Sequence, residues 1–193
     1  MPNPHRLLVI SETAQHAAYL EPLLSKARYV IAASLDKQAN YIEAMQQHEV
    51  DVIMAYLCAP SLSVINQFYE LNTATPKPIV LLTQESEPSL TQDIIHAGVS
   101  VYVADAFHEQ RLKHLIDLAV VRFNEVQALK NEVKAIKSQL NERKTIERAK
   151  GLIMQNRNLN EDQAYKAMRK LAMDQNQRLI DIANDIINIS KVL

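Results

Sequence analysis

Short apolar runs alternate with amphipathic stretches along the first part of the chain, up to residue 122. The apolar runs have the length and content of buried strands, and they cover residues 6–10, 29–33, 51–56, 78–83 and 100–104. The stretches between and after them have a helical period, near residues 14–26, 37–48, 61–74, 88–97 and 108–122. This alternation predicts a (βα)5 doubly wound parallel sheet with helices on both faces. Gly98 is expected to end the fourth helix before the last strand.

A heptad pattern begins after residue 122. The apolar residues that follow alternate spacings of three and four, which is the a and d pattern of a coiled coil: Val126, Leu129, Val133, Ile136 and Leu140. We expect a coiled-coil linker helix over residues 123–141 and a homodimer formed through this seam. The alternative is a single amphipathic helix that packs on its own domain. No Gly or Pro lies between Gly98 and Gly151, so the fifth helix should continue through the linker into the next region.

The last region, residues 142–193, has the pattern of three short helices. The first is expected to end near Arg157, the second to cover residues 160–173, and the third to start near Gln175. Asn160 with Gln163, and Asp174 with Gln177, have the spacing of N-cap and N3 pairs. The helical period turns these side chains inward: Leu159, Ala164, Met168, Leu171, Ala172, Leu179, Ile182, Ala183 and Ile186.

Charge is divided unevenly along the chain, although the net charge of the whole chain is only −1. Residues 130–193 contain 13 Lys and Arg against 8 Asp and Glu, whereas residues 1–129 contain 8 against 14. A basic carboxy-terminal part suggests a surface that binds a polyanion. The cations predicted to be solvated on these helices are Arg143, Lys144, Arg148, Lys150, Arg169, Lys170 and Arg178.

Composition argues against several other classes of protein. The single cysteine, Cys58, excludes an internal disulfide, and the chain has neither a signal-peptide pattern nor an apolar segment of membrane-spanning length. We therefore expect a cytoplasmic protein without membrane contact. The only glycines, Gly98 and Gly151, cannot form a glycine-rich phosphate loop, and the six histidines lack metal-ligand spacing. The sequence predicts no enzyme activity, no cofactor and no metal site.

Three motifs in the basic region occur in order: AKGLIM (149–154), EDQAY (161–165) and RKLAMDQNQRL (169–179). Together they resemble the ANTAR domain, the RNA-binding output domain of the AmiR and NasT transcription antiterminators. The resemblance implies a three-helix domain that binds hairpin RNA in a nascent leader transcript, so that a terminator does not form. The basic residues above would then contact RNA, and Tyr165 would either stack on an unpaired loop base or pack against the first helix.

The first 122 residues resemble the receiver domain of response regulators. This resemblance places Ser11 and Glu12 at the acidic pair after the first strand and Tyr56 at the phosphoacceptor aspartate. Thr83 stands at the hydroxyl position that ends the fourth strand, and Asp105 stands where receivers have lysine.

These departures have a chemical meaning. Aspartyl phosphate requires a carboxylate nucleophile, and a phenol with a pKa near 10 cannot replace it. Of the residues at the metal-binding positions, only Glu12 is a strong Mg²⁺ ligand. Asp105 would add negative charge where positive charge is needed. We therefore predict a pseudo-receiver with a degenerate phosphoacceptor pocket that the Tyr56 ring fills.

These patterns predict a transcription antiterminator with a receiver-like domain (1–122), a coiled-coil linker helix (123–141) and an ANTAR RNA-binding domain (142–193). By resemblance, the RNA is a two-hairpin leader and a ligand-sensing partner protein controls the regulator. RKTIERAKGLIM and AGVSVYVAD are closer to the NasT side, which implies nitrate and nitrite assimilation genes as targets. The alternatives are a phosphorylation-driven ANTAR response regulator, a protein-interaction scaffold and a DNA-binding regulator.

Overall fold

The computed structural model of the protein describes residues 5–104 and 109–190. The chain divides into two compact units, an amino-terminal unit (Met1–Gln127) and a carboxy-terminal unit (Ala128–Leu193). Among the described residues, no helix has the length and apolar content needed to cross a membrane.

The amino-terminal unit is built on one five-stranded parallel sheet in the order β2-β1-β3-β4-β5. Each predicted apolar run forms a strand: β1 (Arg6–Ser11), β2 (Val30–Asp36), β3 (Val52–Leu57), β4 (Ile79–Thr83) and β5 (Val101–Val103). The central strands β1, β3 and β4 are almost wholly buried, as a sheet covered on both faces requires. The predicted fold class is confirmed.

Helices cover the two faces of the sheet and divide its core in two. They are α1 (Ala14–Lys26), α2 (Tyr41–Gln47), α3 (Leu62–Ala74), α4 (Thr91–His96) and the start of α5 (Leu112–Arg157), with short 3-10 turns at Pro88–Leu90 and Glu109–Arg111. Alternation along β1 sends Leu8 and Ile10 into the cluster that contains α2 and α3 side chains. Leu7 and Val9 enter the cluster on the other face, with side chains of α1 and α5.

Gly98 ends α4 with a φ of 86°, in the left-handed region that favours glycine. Its amide donates to the carbonyl of Ile95, and the amide of Val99 donates to that of Ile94. A Cβ added at residue 98 would lie 1.9 Å from the side-chain nitrogen of Asn72. The predicted helix end is confirmed, and here both the backbone angle and the space require glycine.

The carboxy-terminal unit contains the rest of α5 with α6 (Glu161–Asp174) and α7 (Leu179–Ser190). α5 runs without a break to Arg157, as expected from the absence of Gly and Pro. The predicted domain limits at 122 and 141 both fall inside this helix, and they stay predictions. The helical core contains Ala149, Met168, Ala183 and Ile187.

The start of α6 agrees with its sequence pattern, because Asn160 and Gln163 form a complete capping box. The prediction for the third helix is wrong. Asp174 is the last residue of α6 rather than an N-cap, and α7 begins only at Leu179. Asn176 adopts a φ of 51° and closes α6, with the amide of Gln177 donating to the carbonyl of Ala172.

One α6 side chain also differs from the expected packing. Leu171, predicted to face inward, is 42% exposed. It lines an open apolar groove between α6 and the ends of α5 and α7.

We expect Gly98→Ala to destabilise the amino-terminal unit by about 1–3 kcal/mol, because alanine would be held at a positive φ and against Asn72. Gly151→Ala is the matched control, since an added Cβ there meets nothing within 4 Å inside a helix. That change should be neutral or should stabilise by about 1 kcal/mol. Urea unfolding followed by circular dichroism measures both, and equal effects of the two substitutions would contradict the prediction.

Candidate nucleic-acid interface and receiver pocket

The carboxyl ends of the central strands bring four of the predicted pocket residues to one edge of the sheet. Ser11 is paired with Tyr56 across β1 and β3, and Leu57 of β3 is paired with Thr83 of β4. Glu12 directly follows Ser11, and its amide donates to the carbonyl of Tyr56. Asp105 lies outside the described residues.

The Glu12 carboxylate is fully engaged by the protein itself. Lys37, which follows β2, donates from Nζ to Glu12 Oε1, and the amide of Cys58 donates to Glu12 Oε2 at 2.6 Å. The hydrogen bond from Lys37 holds the pKa of Glu12 below its ordinary value, and the same contact raises the pKa of Lys37. Lys37 belongs to no sequence motif, and its position directly after β2, next to β1, was the available signal.

The receiver fold implies a divalent cation at this edge, but the residues present do not fit one. Both oxygens of Glu12 are already hydrogen-bonded, and Ser11 supplies only a hydroxyl that is 6% exposed. The described part of the chain contains no group of three His, Cys, Asp or Glu side chains that could hold a metal. The ammonium of Lys37 therefore supplies the positive charge that balances Glu12.

Tyr56 and Thr83 are also committed to protein contacts. The Tyr56 ring packs beside α1, with its centroid 4.4 Å from that of His16 and 6.2 Å from that of Tyr19. Gln84 donates to the Tyr56 hydroxyl at 3.3 Å. The Thr83 hydroxyl donates to the carbonyl of Glu85 at 2.8 Å. At this edge, the described residues hold one another in place.

Exposed cations lie on two helices of the carboxy-terminal unit. Arg143, Lys144 and Arg148 are exposed on α5, and Arg169 and Lys170 are exposed on α6. Within the described residues, none of the five forms an ion pair. Lys144 and Arg148 are four residues apart and share one helix face, whereas the adjacent Arg169 and Lys170 point about 100° apart.

Lys150 does not belong to this exposed set, so its prediction as a solvated cation is wrong. It is only 7% exposed, and its Nζ lies 2.6 Å from Glu147 Oε2 and 2.7 Å from Glu161 Oε1. The hydrogen bonds to Glu147 and Glu161 raise the pKa of Lys150. Glu161 is the first residue of α6, so this ion pair fastens the start of α6 to α5.

Arg178 and Tyr165 are exposed, with different surroundings. The Arg178 guanidinium makes two hydrogen bonds of 3.0 Å to the Asp181 carboxylate, so much of its charge is balanced locally. The spacing of three residues could have indicated this pair. Tyr165 is 41% exposed on α6 and presents part of its ring to solvent.

The heptad residues lie on the exposed surface of α5. Their exposure ranges from 48% to 61%. Both the coiled-coil seam and the alternative of a helix packed on its own domain stay predictions. The residues are Val126, Leu129, Val133, Ile136 and Leu140.

The amino-terminal unit is a receiver-like parallel sheet, and the carboxy-terminal unit is a small helical module with exposed cations. Residues 134–187 match the family described as the ANTAR domain. The match covers the basic helical region, so the expected resemblance of that region to the ANTAR domain is confirmed.

Two relatives and one solved structure illustrate this relationship. The chain is 29% identical over 184 residues to the transcriptional regulatory protein PdtaR of Mycobacterium tuberculosis, covering 95% of this chain and 90% of that protein. It is 39% identical over 77 residues to the nitrate regulatory protein of Klebsiella oxytoca, covering 40% of this chain and 19% of that protein. That match agrees with a closer likeness to the NasT side.

The solved structure supports the fold of the amino-terminal unit alone. It is the signal receiver domain of a modulated diguanylate cyclase from Desulfovibrio desulfuricans G20. It has a TM-score of 0.54 at 16% identity, over 63% of this chain and 97% of that one.

We expect Lys37→Met to lower the free energy of unfolding at neutral pH. We also expect this free energy to fall less steeply in the variant as the pH is lowered. The pKa of Glu12 is lowered from 4.5 in the folded state, so the stabilisation is complete above about pH 4.5 and is lost as pH falls through the folded pKa. Urea unfolding at several pH values measures this difference. Lys26→Met, at an exposed position on α1, is the control; the same pH dependence in both variants would contradict the prediction.

Proposed function

We propose that the protein is an RNA-binding transcription antiterminator that binds hairpin RNA in nascent leader transcripts. The observation that carries this proposal is the set of exposed, unpaired cations on α5 and α6 of the ANTAR domain. Phosphate contacts supply most of the affinity for nucleic acid, and unpaired cations make such contacts at the lowest cost. The similarity to a transcriptional regulatory protein over nearly the whole chain supports the same function.

Within this proposal the basic residues have different roles. Arg143, Lys144, Arg148, Arg169 and Lys170 contact phosphates. Lys150 holds α6 in place instead.

The two remaining predicted residues add to this surface in other ways. Arg178 contributes less to RNA binding than a free cation would, because its charge is partly balanced by Asp181. Tyr165 stacks on a loop base through the exposed part of its ring.

Regulation in this proposal comes from a partner protein in the cytoplasm rather than from phosphorylation. Tyr56 cannot form an acyl phosphate, and Lys37 already neutralises Glu12. A groove between α3 and α4 offers a docking surface, because Leu62 and Tyr69 are each 57% exposed there. The proposed partner senses a ligand, as the resemblance to the AmiR and NasT antiterminators implies. The similarity to a nitrate regulatory protein supports nitrate or nitrite assimilation genes as targets.

The protein acts as a parallel homodimer in this proposal. The heptad side chains of α5 form a continuous exposed apolar stripe, and a second copy of the same stripe would bury it.

For RNA binding, we expect single Ala substitutions at Lys144, Arg148, Arg169 and Lys170 to weaken affinity. Each should also lower the log-log salt slope by about 0.7–0.9, because each removes a phosphate contact. Tyr165→Leu should cost about 1–3 kcal/mol at a nearly constant slope, since stacking adds no net charge. Gel-shift titrations of a two-hairpin leader RNA at several salt concentrations measure both quantities.

The RNA experiment has two matched controls. Lys26→Ala removes an exposed lysine of the amino-terminal unit and should change nothing. Lys150→Ala should lower the thermal stability of the chain, because it leaves Glu161 without its cation. Any effect on RNA binding should therefore be accompanied by this loss of stability. Unchanged RNA affinity in all four basic variants would favour the protein-interaction scaffold. Equal binding to a DNA duplex would favour a DNA regulator.

For the receiver pocket, we expect no stable acyl phosphate on the chain, because Tyr56 replaces the carboxylate nucleophile. Incubation with acetyl phosphate and Mg²⁺ followed by intact-mass measurement should show only the unmodified mass. A stoichiometric phosphoryl adduct on a carboxylate would support a phosphorylation-driven regulator instead.

For the dimer, we expect Leu129→Lys combined with Ile136→Lys to give monomers. Each buried Leu or Ile stabilises such a seam by about 2–5 kcal/mol relative to Ala, and a charge at the seam costs more. Light scattering measures the mass. Asn131→Lys combined with Ser138→Lys adds the same charge on the outer face of the helix and should leave the dimer intact. A wild-type mass for the seam variant would argue against this interface.

A further inference from the structure

Charged residues flank the two sides of the exposed heptad stripe with opposite signs. Val126, Val133 and Leu140 take the a positions of the heptad, and Leu129 and Ile136 take the d positions. On one side, the e positions are Lys130 and Lys137. On the other side, the g positions are Glu125, Glu132 and the uncharged Gln139. All four charged side chains are exposed on α5.

These four charges have little to pair with on their own helix. Opposite charges stabilise each other along a helix when they are three or four residues apart. Lys130, Glu132 and Lys137 have no oppositely charged residue at those distances, and Glu125 has only Arg122. In the described part of the chain, none of the four forms an ion pair. These solvated charges are therefore free to pair with charges of another helix.

A second copy of α5 supplies these partners in one arrangement. In a parallel two-stranded coiled coil, a g residue of one helix faces the e residue five positions later in the other. Glu125 then faces Lys130 of the second copy, and Glu132 faces Lys137 of the second copy. We infer that these pairs select a parallel, in-register pairing of α5 with itself. The inference deepens the proposed dimer and rests on it.

The other arrangements lose this complementarity. In an antiparallel pair, e positions face e positions and g positions face g positions, so lysines would meet lysines and glutamates would meet glutamates. A parallel pair shifted by one heptad would keep only two of the four ion pairs of the in-register dimer. It would also uncover part of a seam that is only five layers long. A different protein could pair with α5 in this way only if its helix also carried acidic g positions and basic e positions.

Charge reversal in the full chain tests the inference. Glu125→Lys with Glu132→Lys places lysine on both sides of the seam, and Lys130→Glu with Lys137→Glu places glutamate on both sides. Each double variant alone should dimerise at least about tenfold more weakly than the wild type, because four attractive contacts per dimer become repulsive. An equimolar mixture of the two should form a heterodimer, since attraction is restored. Sedimentation measures the affinities, and native mass spectrometry identifies the species.

The direction of the helices has its own readout. Ile136→Cys in a Cys58→Ser background should form an intermolecular disulfide on mild oxidation, because a parallel in-register pair brings the two copies of residue 136 together. Asn131→Cys, on the outer face of the helix, is the control and should form little.

The outcomes separate the inference from the proposed dimer. A monomeric wild-type chain would overturn both. A dimer that the seam substitutions dissociate, but that either charge-reversed variant forms with wild-type affinity, would overturn the charge pairing alone. Failure of the mixture to form heterodimers would do the same. Weaker self-association of both variants, together with recovery in the mixture, is the expected result.

Discussion

One helix takes part in two separate hydrophobic cores. The first turns of α5 bury Leu112, Ile116 and Ala119 against the sheet, and its last turns bury Ala149 against α6 and α7. Between these ends, the helix has no side chain buried by the described residues. An isolated helical segment gains little stability from its backbone alone, so the middle of α5 depends on its anchored ends. This explains why the apolar residues of the middle section can stay available for an interaction outside the chain.

The receiver-like edge of the sheet illustrates how an ion pair can replace a metal site. A half-buried carboxylate is stabilised by a compensating cation, and Lys37 provides it. The Cys58 amide fixes the second carboxylate oxygen. Burial, and then the neighbouring Glu12, raise the pKa of the Cys58 thiol, which favours its unreactive protonated form. The described contacts at this edge are therefore those of a fixed scaffold.

Sequence patterns predicted the features that depend on local interactions. The apolar runs identified every strand of the sheet, Gly98 identified a helix end, and Asn160 with Gln163 identified a capping box. The predicted start of the third helix was wrong because the same residues can either begin one helix or end another. Asp174 and Gln177 have N-cap spacing, but Asn176 between them tolerates the left-handed conformation, so the chain ends α6 there instead.

The charged residues were harder to place, because their surroundings depend on tertiary contacts. Lys150 has an ordinary basic context in the sequence, and only the packing of α6 on α5 brings Glu161 to it. Lys37 reaches Glu12 only because β1 and β2 are neighbours in the sheet. In both cases, the partner lies more than ten residues away in sequence. Periodicity can show which face a side chain occupies, but it does not show what that face meets.

The internal pairing of some cations has a consequence for how the protein meets a distant polyanion. Lys150, Lys166 and Arg178 each lie next to a carboxylate. The field of such a cation is largely cancelled by that of its carboxylate at distances much greater than their separation. The unpaired cations of α5 and α6 then contribute most of the positive long-range potential of the carboxy-terminal unit, although the net charge counts every cation equally. Long-range potentials govern the rate of encounter more than the strength of the final complex. Salt should therefore slow the arrival of a negatively charged ligand even where its bound contacts are short.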